Sequence, residues 1–181
     1  FHHTAFQVSS IITTTGYSTA DFNEWNALSK TILVLIMFVG ACAGSTGGGI
    51  KVSRIIILLK GVRKEVMRVC HPRSIKKVKM DGHSLEHEAV HSVYAFVIIY
   101  ICIFVVSLLV ITLDEKDLVT NFTAVAATIN NIGPGLNIVG PAGNFSSFSD
   151  LSKFVLMFDM LAGRLELLPL LVLFVPSTWK K

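Results

Sequence analysis

Apolar residues fall in four long blocks: Ala27 to Cys42, Ile50 to Leu59, Ala89 to Leu113 and Leu151 to Pro176. A bilayer core about 30 Å thick needs roughly 20 helical residues, so the last two blocks are each long enough to span it. The first two do so only as one broken element. Ahead of the first block and again between the last two lie stretches of about ten residues of mixed Thr, Ser, Ala and Phe, too short to cross, each ending in a glycine turn, at Gly16 and at Gly133. They are expected to enter the bilayer and return. Backbone without helical bonding is tolerated at membrane depth only when buried in protein or lining an aqueous cavity, so both turns should face a water-filled path. The fold class this predicts is an all-α integral membrane protein.

The elements repeat at a spacing of about 117 to 120 residues. Phe6-Gln7-Val8-Ser9-Ser10-Ile11-Ile12-Thr13-Thr14-Thr15-Gly16 answers to the stretch from Phe122 through Asn130-Asn131-Ile132-Gly133, and Leu35-Ile36-Met37-Phe38 to Val155-Leu156-Met157-Phe158. Ala43-Gly44 is answered by Ala162-Gly163. Each unit is a short helix, a glycine turn and a spanning helix.

Composition sharpens the class. Apolar residues are 52% of 181, charged residues 15%, and the mean hydropathy is +0.63, beyond the balance of a soluble domain. Eight basic residues stand against four acidic ones between Lys60 and Glu88, which places that segment on the cytoplasmic side by the positive-inside rule. Asp21, Glu24, Asp114, Glu115, Asp117 and Asp150 mark the external ends. Lys180-Lys181 returns the C-terminus to the cytoplasm. Without interleaved aromatics or a recognition fold, the basic segment is not a nucleic-acid site. Cys42, Cys70 and Cys102 lack metal or redox spacing. The chain opens on Phe1-His2-His3 with no start methionine and reads as a fragment.

Thr13-Thr14-Thr15-Gly16-Tyr17-Ser18 has the make-up of a cation filter, in which glycine lets successive carbonyl oxygens turn to one axis and replace an ion's hydration shell. The second turn, Asn130-Asn131-Ile132-Gly133-Pro134-Gly135, carries amides before its glycine and a φ-restricting proline after it. Neither holds a carboxylate. No catalytic residues are expected, and no cofactor beyond the conducted ion.

Gly44-Ser45-Thr46-Gly47-Gly48-Gly49-Ile50-Lys51 superficially suggests a phosphate loop, but Ile50 intervenes where the Walker pattern demands lysine. In a membrane helix these glycines instead break the helix and release a loop just inside the filter, a candidate gate; close helix packing is the plainer alternative. Arg164, in Ala162-Gly163-Arg164-Leu165-Glu166-Leu167, has apolar sequence on both sides. An arginine near mid-bilayer costs at least about 2.5 kcal/mol, so it should face the bundle interior or a cavity, in a pore or gate role, or be paired with Asp159 or Glu166. His83, His87 and His91 would share a face, and could hold a metal, if the helix of the Ala89 block extended that far into the cytoplasmic segment; solvated or interfacial histidines are the plainer reading, and Trp25 and Trp179 read as interfacial anchors.

Thr14-Thr15-Gly16-Tyr17, Gly44 through Lys51, Asn130 through Gly135 and Gly163-Arg164-Leu165-Glu166 together resemble the TrkH/TrkG/KtrB superfamily of potassium-uptake proteins, in order and spacing over almost the whole chain. The resemblance implies a single-chain pore of four helix, pore-loop, helix repeats. Residues 1–60 would be the end of the third repeat, 61–88 a cytoplasmic loop and 89–181 the fourth. It implies potassium bound at Thr14, Thr15, Gly16, Tyr17, Asn131, Ile132, Gly133 and Pro134, and a gate of Gly44, Ser45, Thr46, Gly47, Gly48, Gly49, Lys51 and Arg164. It further implies a homodimer in a bacterial inner membrane above a cytosolic nucleotide-binding regulatory subunit of TrkA type. Ile132 and Pro134 depart from the Thr-x-Gly-Tyr pattern. Rival readings are a cation-coupled secondary transporter, whose broken helices look similar, and a non-conducting membrane scaffold.

Overall fold

The computed structural model describes residues 1–42, 44, 45, 47–71, 79, 80 and 83–165. It is mostly helical. The first unit comprises α1 (His2–Ile12), a single 3-10 turn (Phe22–Glu24) and α2 (Ala27–Met37). Two short strands follow, β1 (Val39–Gly40) and β2 (Ile50–Lys51), and then α3 (Val52–Cys70). A two-residue hairpin, β3 (Lys79–Met80) and β4 (His83–Ser84), precedes the second unit of α4 (His87–Ile111), α5 (Leu118–Ile129) and α6 (Asp150–Leu165).

At about 1.5 Å per residue, the 25 residues of α4 reach about 37 Å, more than the bilayer core. Among the described residues it is the helix long and apolar enough to cross a membrane. Ile98, Ile101, Val105, Val106 and Leu109 point outward while Ser107 is buried. On α6, Phe154, Met157 and Leu161 are exposed and Ser152 and Asp159 are enclosed. Apolar outside and polar inside is the arrangement an apolar solvent imposes, because an unpaired polar group facing hydrocarbon costs several kcal/mol.

The break between the first two apolar blocks is real, and its shape is specific. Helix α2 stops at Met37, where Phe38 packs its ring 5.8 Å from Phe104 of α4 and 6.1 Å from Phe122 of α5. The chain then loops out and returns: β1 and β2 pair in parallel, Val39 with Ile50 and Gly40 with Lys51. The described residues between the strands (41, 42, 44, 45 and 47–49) therefore belong to a segment whose ends are held together. In α6 the helix runs unbroken through Ala162-Gly163, so the two units differ at this point. Helix α3 also continues beyond the apolar block through Cys70, into the basic segment expected as a loop from residue 61. Gly61 permits this, since a side chain there would overlap the Tyr94 hydroxyl of α4.

His83 lies in β4 and α4 begins only at His87. The three histidines therefore do not share one helix; Gly82 and the polar sequence before it disfavour an earlier start. Trp25 packs edge-on against Phe22, between the 3-10 turn and α2, whereas Trp179 lies outside the described residues.

The units are stitched at one end by amides. Asn23 Oδ1 accepts from the Asn137 backbone N–H at 2.8 Å, and Asn137 Nδ2 donates to Asp117 Oδ2 at 2.8 Å. Asp21, Asp117 and Asn26 each accept a backbone N–H at the start of a helical turn, as N-caps do. The acidic residues expected at one end are thus partly structural.

Candidate functional site

Both short helices end in the same backbone construction. After α1, Thr13 N–H donates to Ser9 O (3.0 Å), Thr14 to Ile11 O (3.1 Å), and both Thr15 and Gly16 to Ser10 O (2.9 and 3.4 Å). After α5, Asn130 donates to Ala126 O (3.2 Å), Asn131 to Thr128 O (2.9 Å), and both Ile132 and Gly133 to Ala127 O (2.8 and 3.4 Å). Every partner is displaced by 117 residues, the lower bound of the repeat seen in the sequence. The left-handed residues match as well: Thr14 (φ 54°) with Asn131 (φ 54°), and Gly16 (φ 78°) with Gly133 (φ 108°). In an extended strand successive residues face opposite sides. Left-handed residues interleaved in such a segment interrupt that alternation.

A β-branched residue at positive φ is uncommon and costs about 1–2 kcal/mol, and such strain collects at functional sites. Thr14 is such a residue, whereas asparagine tolerates the same conformation at 131. Thr14→Asn is accordingly expected to raise stability by about 1 kcal/mol, read as a higher thermal midpoint of the purified protein.

The turns touch. A Cβ added at Gly16 would overlap the carbonyl oxygen of Ile132 and lie 3.3 Å from Pro134 Cδ, whereas at Gly133 it would meet open space. Ile132 and Leu136 also share an apolar cluster with Ile11, Phe22, Leu33 and Met37. Of the expected filter residues, Ile132 is buried and Tyr17 exposed, with the Tyr17 carbonyl accepting from Ser10 Oγ at 2.6 Å.

The glycine loop lies against both turns. A Cβ at Gly48 would overlap the Asn130 carbonyl, and one at Gly47 would come within 3.6 Å of the Thr14 hydroxyl. From the other side, a Cβ at Gly163 would overlap the Ile129 carbonyl, and Asn131 Nδ2 donates to Met160 O at 3.0 Å. Beside these contacts is a cavity of about 210 Å³ lined by Gly47, Gly49, Lys51, Arg54, Gly163 and Arg164, with Ser45 and Tyr100 also on its wall. The loop and Arg164, 115 residues from Gly49, thus share one space. Thr46 lies outside the described residues, and Gly44 meets nothing within 4 Å of a built Cβ.

Arg164 is an exposed residue of α6 and lines this cavity. Asp159 does not pair with it: the carboxylate accepts from Ser107 Oγ at 2.7 Å, five residues back on the helix. Glu166 lies outside the described residues.

Two contributors escaped the sequence pattern. Arg54 lies over the Phe96 ring, 4.0 Å from its centroid, and lines the same cavity. Its placement three residues after Lys51, one helical turn on, was the available signal. Tyr100, a hydroxyl in an otherwise apolar run, donates to Asn130 Oδ1 at 2.8 Å, and Asn130 Nδ2 donates to Ala126 O at 2.8 Å. Both residues are buried. Tyr100→Phe should cost about 1–3 kcal/mol by leaving the amide oxygen without its donor, measurable as a lowered unfolding temperature in detergent.

Comparison with known proteins gives this geometry a family. The Trk system potassium uptake protein TrkH of Escherichia coli (strain K12) is 40% identical over 176 residues, 97% of this chain and 36% of that protein. The protein of the same name from Vibrio parahaemolyticus serotype O3:K6 (strain RIMD 2210633) is 41% identical over 180 residues, 99% of this chain and 37% of that one. The crystal structure of the potassium transporter TrkH from Vibrio parahaemolyticus superposes with a TM-score of 0.86 at 41% identity, covering 97% of this chain and 37% of that one. The chain spans little more than a third of the length of the curated relatives it matches. A family model described as TrkH, cation transport protein, matches residues 1–181; with these relatives, it places the chain in the TrkH family of cation transport proteins.

Proposed function

We propose that this chain supplies two unequal quarters of a potassium pathway through a bacterial inner membrane, with a gate beneath them. The observation that carries the reading is the four-bond turn, with its paired left-handed residues, repeated at 117-residue spacing around one contact between Gly16 and Ile132. Thr14, Thr15, Gly16, Tyr17, Asn131, Ile132, Gly133 and Pro134 would offer the oxygens that replace potassium's water. The loop from Gly44 to Gly49, Lys51 and Arg164 would close the path, with Arg54 as a further cation. Residues 1–60 then belong to a third repeat and 89–181 to a fourth, flanking a cytoplasmic segment. The relatives' names as potassium uptake proteins support the substrate.

The whole protein would be a homodimer. A cytosolic nucleotide-binding subunit of TrkA type would dock on the basic segment between 60 and 88 and on the C-terminus. Charge and side of the membrane support that placement.

Potassium and sodium uptake by the full-length protein, in a strain unable to accumulate potassium, tests the reading. Growth at low potassium and flux that follows the potassium gradient alone are expected. Flux that requires a sodium or proton gradient would instead indicate coupled transport, and no flux at all a scaffold.

A further inference from the structure

A carboxyl group is enclosed behind the second turn. Asp159 has 0% of its surface exposed, and its Oδ2 has no hydrogen-bond partner. Its Oδ1 sits 2.7 Å from the hydroxyl of Ser107, which is also buried. An acidic residue inside a membrane bundle is costly and marks a functional site more often than a structural one. Neither the filter turns nor the gate cavity uses this group.

Its surroundings tie it to the pathway. Ser107 and Tyr100 are seven residues apart on α4, on one face. Tyr100 clusters with Ile129 and with Ala162, three residues beyond Asp159. Tyr100 also lines the gate cavity and holds Asn130, the residue whose carbonyl meets Gly48. A polar line therefore runs from the cavity through Tyr100 to the second turn, with Asp159 and Ser107 beside it. The residue after Asp159, Met160, accepts directly from the turn's Asn131.

We infer that Asp159 and Ser107 form a proton-binding site behind the filter, and that its occupancy alters ion passage through the second turn; the latter half rests on the potassium-pathway reading. Binding adds one proton from water to the carboxylate, forming one O–H bond with no electron transferred. Ionised, the carboxylate takes Ser107's hydroxyl at Oδ1 and leaves Oδ2 without a donor. Protonated at Oδ1, it donates to Ser107 Oγ instead, freeing the serine hydroxyl to turn to a carbonyl of its own helix. One pair thus accommodates both states by reversing one bond. Two side chains cannot complete a metal ion's shell, and no cluster of three or more His, Cys, Asp or Glu exists among the described residues.

Few other groups on the packed elements titrate. Helix α5 contributes none between Leu118 and Ile129. Near this level α4 offers Tyr100 and the exposed Cys102. On α6 the nearest charges are Lys153 and Arg164, six and five residues away, and Arg54 of α3 lies over Phe96.

The test is isotope-edited infrared difference spectroscopy of the full-length protein between mildly acidic and mildly alkaline pH, with potassium flux from liposomes over the same range. A carboxylic C=O band should appear with acid, vanish in Asp159→Asn and shift in Ser107→Ala. Flux should change about fivefold across the range in the unaltered protein, the lower end of ordinary coupling between sites, and little in Asp159→Asn. No pH-dependent band, a band untouched by Asp159→Asn, or one that responds to sodium rather than pH overturns the site. A flux profile unchanged in Asp159→Asn overturns its coupling. Should Asp159→Asn fail to fold, the Ser107→Ala shift decides, its absence counting against the site. The infrared titration reads the proton whether or not the protein conducts, so failure of the potassium reading would be seen separately.

Discussion

Gly16→Val is expected to reduce potassium uptake by the full-length protein about tenfold or more at equal membrane expression, the effect of at least about 1.4 kcal/mol. Two costs combine. Gly16 holds φ at +78°, where an L residue, and a β-branched one most of all, carries about 1–2 kcal/mol of strain. Its new Cβ would also overlap the Ile132 carbonyl, an oxygen assigned to the filter. The two turns cannot both keep their places. Gly133→Ala provides the contrast: φ is +108° but the space is open, so backbone strain acts alone and the loss of uptake should be smaller. Rubidium or potassium uptake in a potassium-starved strain reads both variants. Equal uptake by Gly16→Val and the unaltered protein would sink the filter assignment.

Removing the proposed gate should act in the opposite direction. The cavity beside the turns brings together Lys51, Arg54 and Arg164, with no acidic residue among its described lining. A cation about 10 Å from a potassium ion raises its energy by about 1.7 kcal/mol at an effective dielectric of 20, roughly seventeenfold in occupancy. Arg164→Ala is therefore expected to raise basal flux several-fold toward that limit. Deleting Gly47 to Gly49 should raise it further, since that loop stands against both Thr14 and Asn130. Single-channel or liposome flux of the purified full-length protein makes the comparison. Unchanged flux in both variants, with the protein present, would remove the loop and Arg164 from any gating role. Arg54→Ala should share the sign of Arg164→Ala with a smaller effect, because its guanidinium is already held over the Phe96 ring.

Much of this site could be read from residue order. Two short Thr- and Ala-rich segments ending in glycine, at a constant separation between long apolar blocks, predict two matched turns, and the matched bonds follow that spacing residue for residue. Local chemistry suffices there, since helix length against bilayer thickness and the conformational freedom of glycine are both properties of short segments. The break after Met37 was legible for the same reason, as a run of glycines has low helix propensity wherever it occurs.

Partnership across the chain was not legible. The parallel pairing of Val39 with Ile50 that closes the loop, the contact of Gly16 with Ile132, and the choice of Ser107 rather than Arg164 beside Asp159 all join residues whose separation carries no period. Burial differs in the same way. Helix α5 is enclosed at every residue from Thr120 to Ile129 except Phe122, while α1, of similar composition, buries only Gln7, Ser10 and Ile11. Sequence by itself determined the class of protein, the two turns and the broken helix, because those depend on short-range propensity and on the apolar length a membrane demands. Only the tertiary structure decided which turn meets which, which cations share a cavity and which carboxyl is shut away. Those outcomes depend on how packed helices exclude solvent, and one helix does not encode that alone.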